Sequence, residues 1–137
     1  MNVHWSVARS AAGVLAVVAG VAFTSAAWAQ GEWKAPAEAK SVKNPITKLD
    51  AKEKNEAKKV VETNCVPCHG PSGKGDGPAA AALPTKPADW TSEKVQKQTD
   101  GEIFWKISNG RGAMPPWKSI PDKERWELVS YIRTLKK

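Results

Sequence analysis

Cys65-Val66-Pro67-Cys68-His69 brings two thiols and an imidazole into five consecutive residues. Two cysteines with two residues between them, followed at once by histidine, form the c-type haem attachment pattern. The spacing has a chemical reason. Each sulfur can add across one haem vinyl group, which bonds the macrocycle to a single turn of chain. His69 is then held under the ring, where a neutral imidazole nitrogen can ligate iron. These are the only two cysteines in the chain, and His69 is one of two histidines. The other, His4, falls in an N-terminal segment that reads as removed.

Three plainer readings compete. A redox dithiol needs a strand–helix context, and no strand-like run precedes Cys65. Zinc needs four N/S ligands, and only these three soft ligands stand close together. A disulfide across two residues would be strained and would leave His69 unexplained.

A length of 137 residues implies one domain. Residues 1–29 read as a secretory signal: Arg9 near the start, an apolar run from Ala11 to Phe23, and the cleavage triplet Ala27-Trp28-Ala29. The alternative is an uncleaved membrane anchor, because Ala11–Ala29 is nearly long enough to span a bilayer. Loss of Arg9 takes the formal charge from +7 to +6. A basic chain of this size could meet nucleic acid, anionic membrane or an acidic protein face. Its lysines are spread along the chain and it reads as exported, so an acidic redox partner is preferred over nucleic acid. A generally solvated basic surface is the plainer alternative. About 90 residues of folded domain cannot bury a large core, and a haem supplies the missing apolar body. The haem-free chain is therefore expected to be largely unfolded, which far-UV circular dichroism checks.

The elements that must position the motif follow from the remaining pattern. Residues 30–48 carry Pro36, Pro45, several alanines and four lysines without apolar periodicity, which predicts a flexible lead. Asp50 followed by Glu53 forms a capping box and opens a helix over 51–64, with Leu49, Ala57, Val60 and Val61 on one side. It delivers Cys65 directly. Gly70 to Leu83 is rich in glycine and proline, and lacks the Lys-Ser/Thr of a phosphate loop. Such glycines let backbone lie close to a flat ring, and Ala79–Leu83 suggests one helical turn. Thr91–Gln98 suggests a short helix, and the Thr99–Glu102 box opens another that ends at Asn109-Gly110, with Ile103, Phe104 and Ile107 on one face. Pro121 at a first helical position, ahead of Asp122 and Glu124, opens the last helix. Its stripe is Trp126, Leu128, Val129, Ile132 and Leu135. No alternating strand pattern occurs, so the domain reads as all-α.

Between the last two helices, Arg111-Gly112-Ala113-Met114-Pro115-Pro116-Trp117 is a loop by its glycine and proline content. A lone methionine is commonly core filler. An iron held by His69 would have a free sixth position, however, and Met114 stands 45 residues later in a stiff loop suited to fill it.

From Asp50 to Leu135 these elements resemble a class I, monohaem c-type cytochrome of the small bacterial, soluble electron-transfer type. The resemblance lies in the first helix, the C-x-x-C-H stretch, the glycine-rich loop ending Gly77-Pro78, the Gly112-Ala113-Met114-Pro115 loop, and the final helix with Trp126 and Tyr131-Ile132-Arg133. It implies the cytochrome c fold, three main helices plus short helical turns wrapped around one covalent haem c, over 49–137. It implies thioethers at Cys65 and Cys68, His69 as proximal and Met114 as distal iron ligand, and the Pro78 carbonyl as acceptor of the other imidazole N–H. Arg111, Trp90 and Trp117 are candidates for the haem propionates, with packing or surface as the plainer role of each. First and last helices should cross with Ala57, Val60 and Val61 against Leu128, Tyr131 and Ile132. Ala57 and Val61 depart from the glycine and aromatic common in the family, which implies a slightly wider crossing.

The implied function is one-electron carriage in the periplasm between a redox donor and acceptor with an acidic docking face, without nucleic acid and without a membrane span once the signal is removed. Lys74, Lys86 and Lys118 are the candidates to steer that partner. One rival is a dedicated cytochrome subunit of an exported dehydrogenase, docked by the Gly31–Lys48 lead. The other is a haem enzyme such as a peroxidase, which would require Met114 to dissociate.

Overall fold

Both capping boxes close as the sequence requires. In the computed structural model, which describes residues 31–137, Glu53 N donates to Asp50 Oδ1 at 2.7 Å and Asp50 N to Glu53 Oε2 at 3.1 Å. They open α1, Ala51–Asn64, which buries Ala57 and Val61 one turn apart. A single turn, α2, Val66–His69, follows directly. After a long loop containing a 3₁₀ turn at Ala80–Ala82 come α3, Glu93–Gln96, and α4, Asp100–Asn109, opened by the Thr99–Glu102 box. The last element is α5, Asp122–Arg133. Among the described residues there is no strand, only the isolated bridge between Arg111 and Met114. The signal-segment reading and His4 lie outside the described residues.

The three long helices enclose one core. α5 packs against both α1 and α4. Ala57, Val61, Leu128 and Ile132 are buried in this cluster, with Val60 and Tyr131 half-buried against it, so the expected first–last helix contact is present. Val129 at its centre is fully buried. Removing side chains of this size from water stabilises a fold by about 1.5–3 kcal/mol each, which is why these stripes outweigh the weak intrinsic preferences of the helices.

Three expectations are corrected in detail. Pro121 is the N-cap of α5 and not its first helical residue. The short helix expected over 91–98 begins only at Glu93. Asp89 Oδ1 accepts from both Thr91 N (2.8 Å) and Thr91 Oγ1 (2.7 Å), which holds Thr91 in a turn. The third correction is larger.

The lead expected over 30–48 is, in its described part from Glu32 on, held on the domain and not flexible. A 3₁₀ turn, Ala37–Ser41, lies on α4 with Ala35 and Ala39 buried. Asn44 Nδ2 donates to Asp100 Oδ2 (3.2 Å) and Ser130 Oγ (2.9 Å), and Ile46 packs against the core. The segment is a strap, and Glu32–Lys137 fold as one unit. The physical reason is Gly101 in the first turn of α4. A Cβ there would stand 2.0 Å from the Ala39 carbonyl oxygen and 2.8 Å from that of Val42. Backbone meets helix where no side chain intervenes. This gives a test whose sign decides the matter. In a helix facing water, Gly→Ala would stabilise by about 0.5–1 kcal/mol. Under the strap, Gly101→Ala is expected to destabilise by about 1–3 kcal/mol through overpacking, read as a lowered urea midpoint of the haem-loaded protein.

Candidate haem and electron-transfer site

The site is built from one helical turn. α1 ends by passing Cys65 N to Val61 O (2.9 Å), and the chain turns again with Cys68 N and His69 N both donating to Cys65 O, at 3.1 and 2.8 Å. Residues three and four apart share a helix face, so this turn sets Cys65, Cys68 and His69 on one side. Pro67 sits within the first two positions of α2, where its missing N–H costs nothing.

Four residues cannot hold a helix by themselves, and the loop that follows supplies the support. Gly75 N donates to His69 O (2.8 Å), Gly77 N to Cys68 O (3.2 Å) and Ala79 N to Pro67 O (2.8 Å). These bonds satisfy the carbonyls that a helix end leaves unpaired. Gly77 is required by contact: a Cβ would lie 2.4 Å from the carbonyl oxygens of both Val66 and Pro67.

His69 is buried, and its surroundings define its chemistry. Its Nδ1 lies 3.1 Å from the carbonyl oxygen of Ala88. A carbonyl only accepts, so Nδ1 carries the proton and Nε2 keeps its lone pair. Burial pulls the imidazole pKa below its ordinary value, and the Ala88 bond opposes that only in part. The neutral, ligating form is favoured. Trp90 stacks on the ring at 4.4 Å between centroids, 23° from parallel. Trp90 is itself held by its backbone N–H, which donates to Gly73 O (2.7 Å), and by Gln96 Nε2, which donates to Trp90 O (2.7 Å) and to Ile132 O in α5 (3.0 Å).

The partner carbonyl corrects the sequence reading. Pro78 lies between Gly77 and Ala79, whose N–H groups bind the backbone of α2, while the imidazole faces Ala88. The loop from Pro78 to Pro87 swings away and returns, so a residue ten positions further on reaches the ring. A backbone carbonyl has no side-chain signature, and the sequence held no signal that could have selected Ala88. Trp90, read as a propionate candidate, stands against the His69 imidazole.

Met114 and Arg111 share the loop after α4. Arg111 N donates to Met114 O (2.9 Å) and Met114 N to Arg111 O (3.0 Å), a tight closed turn. Met114 is half-buried against the same core that Cys65 borders, together with Trp117.

The donor set fits a covalent haem better than its rivals. Both thiols are free and half-buried. Burial, with the neighbouring Cys68, pushes the Cys65 thiol up to about 11, whereas a redox dithiol depends on a lowered thiol pKa. Among the described residues no group of three or more His, Cys, Asp or Glu side chains is placed to hold a metal ion, so zinc has no site there.

Comparison with known proteins agrees. Residues 52–132 match the family model described as cytochrome C oxidase, cbb3-type, subunit III. A chain of the Kuenenia stuttgartiensis reducing HAO-like protein complex Kustc0457/Kustc0458 is similar at 28% identity and TM-score 0.59, over 70% of this chain and 50% of that one. The KustC0563 c-type cytochrome is similar at 27% identity and TM-score 0.50, over 59% of this chain and 98% of that one. Cytochrome CL from Methylophaga aminisulfidivorans shares the fold at 17% identity and TM-score 0.50, over 64% of this chain and 56% of that one. The chain thus spans about half the length of the HAO-like complex chain and of cytochrome CL. No curated protein sequence matches the chain.

The stacked ring yields a test. Trp90→Ala should destabilise the haem-loaded protein by about 3–5 kcal/mol, the usual cost of emptying a large aromatic site. Trp90→Phe, which keeps a ring against His69, should recover about half of that loss in urea unfolding followed at the Soret band.

Proposed function

The chain belongs to the c-type cytochrome family described as cytochrome c oxidase, cbb3-type, subunit III, and from that premise we propose that this haem c-bearing electron carrier holds its iron between His69 and Met114 and shuttles single electrons between exported redox partners. The observation that carries the ligand assignment is the His69 Nδ1–Ala88 O bond, which leaves Nε2 as the free donor. When bound, haem c supplies a one-electron iron couple, and thioether ligation raises its potential by favouring the ferrous state.

The protein's part is positioning. Cys65 and Cys68, one turn apart, anchor the macrocycle by thioethers. The Ala88 carbonyl fixes the His69 tautomer and raises its basicity. The Arg111–Met114 turn presents a sulfur from a loop stiffened by Pro115 and Pro116. With His69 and Met114 both holding the iron, no position would be left for a small substrate, which favours a carrier over a peroxidase.

The export reading rests on residues 1–29 and on the covalent haem. No helix of the described residues is long and apolar enough to cross a membrane. Lys74 and Lys86 are exposed on the long loop between α2 and α3, and Lys118 on the loop after α4, which supports an acidic docking partner. A cytochrome subunit of a stable exported enzyme complex is a second reading, favoured by the likeness to a chain of the HAO-like complex. The arm that would dock it, Gly31–Lys48, is held on its own domain through Ala35, Ala39, Asn44 and Ile46.

The ligand assignment is tested by Met114→Ala. The oxidised wild type should show the weak far-red absorption band of thioether-ligated ferric haem. The variant should lose it, with a potential lower by on the order of 0.1–0.3 V, within the ~0.8 V that axial ligands span. A band that survives in Met114→Ala overturns the assignment.

A further inference from the structure

The loop carrying Met114 leaves α4 at Asn109 and rejoins the helices at Pro121. Its backbone is tied to the end of α4 at Gly110 N–Lys106 O (2.9 Å) and Trp117 N–Ile107 O (3.1 Å), and a turn closes at Ile120 N–Trp117 O (3.0 Å). One side chain spans both ends. Arg125, 6% exposed in the first turn of α5, donates from Nε to Ile120 O (2.9 Å), from one terminal nitrogen to Ser108 Oγ and from the other to Asp122. Ser108 is buried in the last turn of α4 and donates onward to Phe104 O (2.7 Å). The guanidinium carbon lies 4.7 Å from the Phe104 ring centroid.

The electrostatics of this placement are unusual. Its only acidic partner among the described residues, Asp122, has a side chain 78% exposed. The buried cation leans mainly on a neutral carbonyl, a neutral hydroxyl and an aromatic face. Apolar filler would hold such a space more cheaply than an ion, so packing alone does not account for an arginine there. A planar fork that reaches two chain segments at once does.

We infer that Arg125 is a positioning residue for the distal ligand: by joining Ser108, where the loop departs, to Ile120, where it returns, it holds the Met114 loop closed over the iron. The inference rests on the reading of Met114 as ligand. It concerns the equilibrium between closed and open loop, which exogenous imidazole reports, because imidazole occupies the sixth position only when the methionine has left.

The experiment compares ferric, haem-loaded wild type with Arg125→Gln, Arg125→Lys and Ser108→Ala. Each is titrated with imidazole, and its urea midpoint is measured separately by far-UV circular dichroism. Gly101→Ala, on the opposite end of α4, serves as a control that lowers global stability without touching the loop. Arg125→Gln should bind imidazole at least about tenfold more tightly than wild type. Arg125→Lys should fall between them, since an ammonium cannot serve both segments. Ser108→Ala should tighten binding about threefold, and Gly101→Ala should leave it unchanged. Imidazole affinities within twofold of wild type for both Arg125→Lys and Ser108→Ala would overturn the inference, even where Arg125→Gln fails to accumulate. So would a rise in Gly101→Ala that matches its loss of global stability, because that would make the effect general softening. A wild type without the far-red band would remove the ligand reading and this inference together. A wild type with the band and an unchanged Arg125 series would remove the inference alone.

Discussion

Everything in this fold answers to one helical turn that could not stand by itself. Val66–His69 has four residues, too few to repay helix nucleation. It must nevertheless set two sulfurs and one imidazole at fixed spacing against a rigid macrocycle. α1 supports it from before, through Val61 O, and the glycine-rich loop supports it from behind, through three N–H groups aimed at its last carbonyls. Trp90, placed by Gln96, connects the imidazole to α5. The helices therefore act as a frame whose stiffness is delivered to a few atoms, as a site that must change charge without changing shape requires.

The parts of this arrangement that were legible in the sequence are those expressed in side chains at regular spacing. Asp50–Glu53 and Thr99–Glu102 mark helix starts because each box uses a specific side chain on a specific N–H. Leu128, Val129 and Ile132 mark a face because burial repeats with the helix period. Cys65, Cys68 and His69 mark the chemistry because few residue types can do it. The parts that stayed hidden are carried by backbone or by small residues. Ala88 acts through its carbonyl, which every residue possesses. The strap makes its contact through Ala35, Ala39 and the absent side chain of Gly101, and alanines without periodicity look the same in a linker and in a tight seam. The family resemblance also misled: it pointed to the Pro78 carbonyl, whereas the imidazole meets that of Ala88, and it is the neighbours of Pro78, Gly77 and Ala79, that support the back of the turn.

Buried charge marks α5 in a way that periodicity does not anticipate. Arg125 and Glu127 lie next to apolar Trp126 and are as buried as it is. Glu127 is paired with Lys123, which also reaches Glu53 of α1 at 3.2 Å. One charged residue thus faces the α1 seam and the other faces the Met114 loop. Glu127 is buried and Lys123 exposed, so removing Lys123 would leave a buried carboxylate without its charge partner, which costs more than the pair contributes. Ionic contacts of this kind add little to stability.

The distribution of surface charge bears on the partner more than its total does. On α1 the lysines alternate with acids, and Lys52–Glu56 and Lys58–Glu62 form exposed pairs one turn apart. Such pairs contribute little stability, yet they cancel much of the field that α1 would project. Lys86 and Lys118 form no ion pair with a described residue. Both stand on loops that flank the haem-binding elements. They share that lack of an ion pair with lysines elsewhere, Lys54 and Lys59 on α1 and Lys137 at the end of the chain among them. Each such lysine attracts opposite charge within about one Debye length, roughly 8 Å at physiological salt. Orientation before contact matters to a carrier whose complexes must be brief, because steering speeds encounter without tightening the complex that must then come apart.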